Sequence, residues 1–100
     1  MDEDYSSITK LDLSNKKLNE LPDLSKYINL EILNCNNNKI TNLDNLPQSL
    51  KELICSYNKI TNLDNLPPNL KKLFCNNNPL IYNFYPTLKN IKNYNANLKN

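Results

Sequence analysis

Leu50-Lys51-Glu52-Leu53-Ile54-Cys55-Ser56-Tyr57-Asn58-Lys59-Ile60 stands twenty residues from a near copy of itself in both directions. The earlier copy is Leu30-Glu31-Ile32-Leu33-Asn34-Cys35-Asn36-Asn37-Asn38-Lys39-Ile40. The later one is Leu70-Lys71-Lys72-Leu73-Phe74-Cys75-Asn76-Asn77-Asn78-Pro79-Leu80. All three fit L-x-x-L-x-C-x-x-N-x-[IL]. The connectors repeat as well: Thr41-Asn42-Leu43-Asp44-Asn45-Leu46-Pro47 recurs, residue for residue, from Thr61 to Pro67. Another copy begins at Ile8, with Leu11, Leu13 and Leu18 in frame, 22 residues before Leu30. A partial fifth begins near Ile91, with Tyr94 and Ala96 on the frame. A fixed period on this scale is the mark of a stacked-repeat architecture.

Within a copy, Leu53-Ile54-Cys55 alternates with period two, which predicts a short strand. Leu53 and Cys55 face one way, and Glu52, Ile54 and Ser56 the other. One copy cannot bury its apolar side alone, so the copies stack and their Leu and Cys positions join into one core. Adjacent strands lie ~4.8 Å apart, so about five copies span on the order of 24 Å. Each return connection has about nine residues, too few for an average helix of 11 to 12. An extended or 3-10 wall is therefore expected behind the sheet. Asn38, Asn58 and Asn78 recur where the chain leaves the strand. Their amides supply the donors and acceptors that a buried turn needs, repeat after repeat. The first copy has Lys16 there instead and is expected to be the looser end.

The pattern resembles the leucine-rich repeat family, whose signature L-x-x-L-x-L-x-x-N-x-L admits Cys at the sixth position. The resemblance covers about residues 8 to 98. Its short period, with Leu-Pro before each copy, is similar to repeats of secreted bacterial effectors. Asn-rich repeats of amoebae and giant DNA viruses are similar too. The resemblance implies an α/β-type repeat solenoid, mostly β. A short parallel sheet would line its concave face, and the whole chain, 1–100, would form one domain. The ubiquitin-ligase activity of such effectors resides in a separate domain with its own catalytic Cys. Every Cys here belongs to the repeat frame, so that activity is not expected of these residues.

Composition narrows the chemistry. The chain of 100 residues holds 22 Asn and 18 Leu, with no Gly, His, Trp or Arg. That bias also matches drift in an AT-rich genome. Lacking Gly, the chain has no Gly-rich phosphate loop. Lacking His, it has no imidazole base or metal ligand. Lacking Arg, it has no guanidinium fork for guanine or phosphate. A formal charge of +2 is too slight for a nucleic-acid or membrane footprint. The acidic start, Met1-Asp2-Glu3-Asp4, is unlike a signal peptide. The expectation is a cytoplasmic protein (host cytoplasm if viral), not an enzyme, with no cofactor.

Cys35, Cys55 and Cys75 suggest a three-thiolate metal site, since soft cations take sulfur. Strands, however, hold their side chains parallel, whereas a tetrahedral site needs converging ligands. Buried Cys more often behaves as a small hydrophobe. Asp44 and Asp64 occupy equivalent connector positions and read as turn residues.

What remains is the outward side of the sheet. Ile32, Ile54, Tyr57 and Phe74 are expected to form an apolar patch on adjacent strands, with Asn34, Asn36 and Asn76 as adaptable polar contacts. That composition suits a protein-binding surface. The leading expectation is a non-catalytic module that binds a protein partner. The alternatives are a self-associating structural protein and, behind it, a thiol-ligated metal binder. At the ends, Met1 to Ser7 and the irregular first copy are expected to cover one rung. Tyr82, Phe84, Tyr85 and Tyr94 either cover the other or leave it open to a weak homo-oligomer contact.

Overall fold

Side chains that alternate over only a few residues support only a short strand, and each of the first four copies forms one of three residues. The structure is a computed structural model that describes residues 4–98. Its strands are β1 (Lys10–Asp12), β2 (Ile32–Asn34), β3 (Glu52–Ile54) and β4 (Lys72–Phe74), followed by the helix α1 (Leu88–Leu98). They make one parallel sheet in chain order. Leu11, Leu33, Leu53 and Leu73 stand opposite one another across it. Register is therefore the repeat itself, since twenty residues return the chain to the matching position of the next strand. The first step takes 22 residues without shifting that register.

The inward side chains form the core. Leu33, Leu53, Cys35 and Cys55 are completely buried, as are Leu30, Leu50, Ile40 and Ile60. Leu43, Leu46 and Leu63 close the core from the connectors. Each Leu or Ile so buried contributes about 1.5–3 kcal/mol from lost apolar hydration. The end strands are less protected, and Leu11 and Leu73 are only half-buried. No helix interrupts the connectors between β1 and β4. Each reaches its strand through the same tight turn: Ile8, Leu30, Leu50 and Leu70 donate their N–H to Tyr5, Tyr27, Pro47 and Pro67 carbonyls at 3.2–3.3 Å. Pro68 takes the second place of the last turn, where its fixed φ is an advantage. Sheet, connectors and the C-terminal helix together give a body of 49 × 30 × 18 Å.

The recurring Asn side chains hold successive copies together. Asn58 Nδ2 donates to the carbonyls of Cys35 (3.0 Å), Cys55 (3.1 Å) and Ser56 (3.2 Å), while its Oδ1 accepts from Ile40 N (3.1 Å). Asn78 repeats this one step on, donating to Cys55, Cys75 and Asn76 and accepting from Ile60 N. Asn38 donates to Leu13, Cys35 and Asn36. Its Oδ1 accepts from both Lys16 N and Leu18 N. With Lys16 in place of Asn, the first copy turns differently: Lys17 adopts φ 56°, a left-handed conformation that Lys39 and Lys59 do not share.

The partial fifth copy near residue 91 is not a strand. Leu88–Leu98 is a helix, entered through Thr87, whose Oγ1 accepts from Asn90 N (3.1 Å) as an N-cap. The two readings coincide because the first and fourth places of the repeat lie three apart, and so do successive contacts on one helix face. Leu88, Ile91 and Asn95 follow the helical spacing, and Ile91 is completely buried. Lys92 Nζ donates to Leu70 O and Asn95 Nδ2 to Leu63 O, both at 2.8 Å, which fixes α1 against the connector that leads into β4. Tyr82, Phe84 and Tyr94 pack together with ring centroids 4.9–5.7 Å apart. The Tyr82 hydroxyl accepts from Leu63 N at 2.7 Å and donates to Asp64 Oδ1 at 3.3 Å. Tyr85 does not join them and is 77% exposed. The C-terminal rung, a candidate oligomer contact in sequence, is thus covered by the chain itself. Of the expected N-terminal cover, Met1 to Glu3 lie outside the described residues. Tyr5 packs edge-on against Tyr27, with centroids 5.2 Å apart, and Lys26 Nζ lies 4.4 Å from the Tyr5 ring centre. Among the described residues no helix is long and apolar enough to cross a membrane.

Candidate functional site

Because side chains alternate, the first and third residues of every strand share the sheet's outward side. Two rows result. One reads Lys10, Ile32, Glu52, Lys72, and the other Asp12, Asn34, Ile54, Phe74. Phe74 is therefore the direct neighbour of Ile54, with Asn34 on the other side of Ile54. Strand spacing puts such neighbours ~4.8 Å apart at the backbone. Ile32 pairs with Glu52, so it meets Ile54 only on the diagonal. Phe74 is 48% exposed and so leaves apolar surface open.

Tyr57 stands in the turn just beyond β3, 56% exposed. Its backbone is left-handed, φ 58°, as are those of Asn15, Asn37 and Asn77 at the matching positions. Asn tolerates this region because its short polar side chain bonds locally, whereas a bulky ring gains nothing to offset the crowding. The repeat thus needs a left-handed residue at its eighth place, and a chain without Gly supplies Asn three times in four. Tyr57 is the exception. Replacing it with Asn, Tyr57→Asn, is expected to raise stability by roughly 0.5–1 kcal/mol, seen as a higher urea midpoint. A lower midpoint would mean that the ring contributes packing that outweighs its strained backbone.

Two residues expected as adaptable contacts each bond to the scaffold through one atom of the amide. Asn34 Oδ1 accepts from Asn36 N at 3.0 Å, and Asn36 Oδ1 accepts from Ser56 N at 2.7 Å on the next copy. Both amides brace the ends of the strands, while Asn76 is exposed. Ser56, buried beneath this brace, is a residue that sequence reasoning passed over. On β1 the same place is held by Asp12, whose carboxylate accepts from Ser14 Oγ (2.6 Å) and Ser14 N (2.9 Å). The Ser14 hydroxyl, then its N–H, and more weakly Lys16, hold that carboxyl below the usual range. The Glu31–Lys51 pair, 3.8 Å apart with both side chains about half exposed, contributes little.

The three thiols lie in the core, free, on the side of the sheet opposite the patch. Burial pushes the Cys35 thiol up to about 12 and the Cys55 thiol well above its ordinary value, with Cys35 and Cys75 beside Cys55 adding to the rise. Burial raises Cys75 too. Metal ligation and nucleophilic attack both require the thiolate, which this environment opposes. Among the described residues no group of three or more Cys, Asp or Glu is placed to hold a metal ion. Asp44 and Asp64 stand on the connectors; Asp44 Oδ1 accepts from Asn65 Nδ2 at 3.1 Å. Comparison with protein-family models, curated proteins and solved structures finds no match for this chain.

Proposed function

We propose that this chain is a leucine-rich-repeat module, a short solenoid whose concave sheet face binds a protein partner without catalysis, in the cytoplasm. The observation that carries the reading is the Ile54–Phe74 pair on the outward rows, next to a Tyr57 held in a backbone conformation that the other copies give to Asn. Backbone strain of this kind persists where the surrounding structure enforces it, and it concentrates at functional positions. An exposed Phe74 beside a half-buried Ile54 on the adjacent strand also has the makings of an interface centre. Ile32 extends the patch diagonally, and Asn76 borders it. Asn34 and Asn36 flank it, each held in place through its Oδ1.

The thiol-ligated metal reading loses its support, since the sulfurs face the core and burial favours their protonated form. No His exists to activate a nucleophile, and nothing in the charge balance favours nucleic acid or membrane.

The test is affinity capture from native cell extract with the wild-type chain and with an Ile54→Asp/Phe74→Ala variant. The variant is expected to bind at least about a hundredfold more weakly, as befits loss of a central pair of anchors. Its thermal midpoint should stay close to that of the wild type, because both side chains point away from the core. Undiminished capture by the variant would move the site off this face.

A further inference from the structure

The two ends of the sheet are unlike. Beyond β4 the chain folds α1 and three aromatic rings over the last copy. Beyond β1 there is no further strand among the described residues. Leu11 there is only half-buried, as are Ile8, Leu13 and Leu18 beside it. Thr9 O, Leu13 N and Asn15 N all bond to β2 and its extension. Successive residues of a strand point their backbone groups to opposite sides, so the N–H and C=O of Lys10 and Asp12 point away from β2, toward the open edge. An open edge with unpaired backbone groups is a template for another strand.

We propose that this edge pairs with the same edge of a second copy, antiparallel, about a two-fold axis through Leu11. In that register Lys10 lies opposite Asp12 of the second copy, and Asp12 opposite its Lys10. Both residues offer their backbone groups outward, so each of the two pairs closes a ring of two N–H···O=C bonds. Their side chains share the outward face, so each pair also sets an ammonium beside a carboxylate. Leu11 meets Leu11 of the second copy on the inward face, and the two half-covered cores become continuous.

Neighbouring registers fail on simple grounds. Centring on Lys10 sets Lys10 against Lys10, and centring on Asp12 sets Asp12 against Asp12; like charges directly opposite are destabilising. A slip by one residue faces outward backbone groups with inward ones and puts the apolar side chain on the wrong side. The two-fold contact closes on itself, so the two β1 edges are used up in one pair.

The experiment is sedimentation velocity of the full chain up to millimolar concentration, at low and high salt. A monomer–dimer equilibrium weakened by salt is expected. Lys10→Glu, at an exposed position, should raise the dissociation constant at least about tenfold by setting carboxylate against carboxylate. Adding Asp12→Lys to that variant should restore the dimer. If Asp12→Lys disturbs the turn that Ser14 makes on the Asp12 carboxylate, seen by circular dichroism, Lys10→Glu alone carries the test. A monomer at every concentration overturns the proposal. So does a dimer indifferent to Lys10→Glu, which would place the contact elsewhere.

Discussion

Asn58→Ala is expected to destabilise the fold by roughly 2–4 kcal/mol, measured as a fall in unfolding free energy by urea titration. The cost is not simply four lost hydrogen bonds. Cys35 O keeps Asn38 as a second donor, and Cys55 O keeps Asn78. The group left without a partner is Ile40 N, which reaches Asn58 Oδ1 at 3.1 Å beside a completely buried side chain. An unsatisfied buried donor costs about 1–3 kcal/mol, and the weakened carbonyl contacts account for the rest. Asn58→Asp separates the two ends of the amide. It keeps an acceptor for Ile40 N but turns a carboxylate oxygen toward the Cys35 and Cys55 carbonyls, so at neutral pH it should do no better than Ala. Asn78→Ala is the milder comparison, because Asn78 is half-exposed and water can replace part of what is lost. A change below 1 kcal/mol at Asn58 would mean that strand pairing and the apolar core carry the stack without the amides.

The second large effect is a loss of stability in alkali. The thiols of Cys35, Cys55 and Cys75 are all raised from an ordinary 9.0 by burial, Cys35 to about 12. The folded chain therefore retains protons that the unfolded chain releases. Their contribution is fully present below pH 9, shrinks as the unfolded thiols ionise, and is lost as pH climbs toward 12. Burial lifts the Tyr82 hydroxyl as well, which deepens the fall above pH 10. Urea midpoints taken from pH 7 upward should be level at first and then decline steeply from about pH 9. Cys55→Ala should start lower and decline less. A curve flat to pH 11 would show that water reaches the thiols in the folded state.

Much of the sheet was legible because register and period are one quantity here. Once Leu33, Leu53 and Leu73 recur every twenty residues, parallel pairing of matched positions follows, and Cys35 and Cys55 fall inward by alternation. The role of Asn38, Asn58 and Asn78 was legible for a related reason, since a turn buried at each step needs donor and acceptor together. Residues 88–98 were ambiguous because Ile91 and Tyr94 fit two periods at once, and Thr87 as a cap was the deciding signal that the repeat frame hid. The outward patch divides similarly. The adjacency of Ile54 and Phe74 is a register statement and could be read. The bracing by Asn36 Oδ1 on Ser56 N depends on side-chain direction, which residue type does not convey. Asn15, Asn37 and Asn77 did hold a readable clue: where Gly is absent, Asn recurring in a turn marks a left-handed backbone.

The identity of the two connectors has a genetic corollary. The junction Ile40-Thr41 is matched by Ile60-Thr61, so excising residues 41–60 joins Ile40 to Thr61 and creates no new dipeptide. Leu73 would then meet Leu33, and Asn78 would find Cys35 O where it now finds Cys55 O. Losing a single residue from within β3 would instead set the rest of that strand one place out of step and turn inward side chains outward. A deletion of twenty that removes one whole copy is therefore gentler than a deletion of one within a strand.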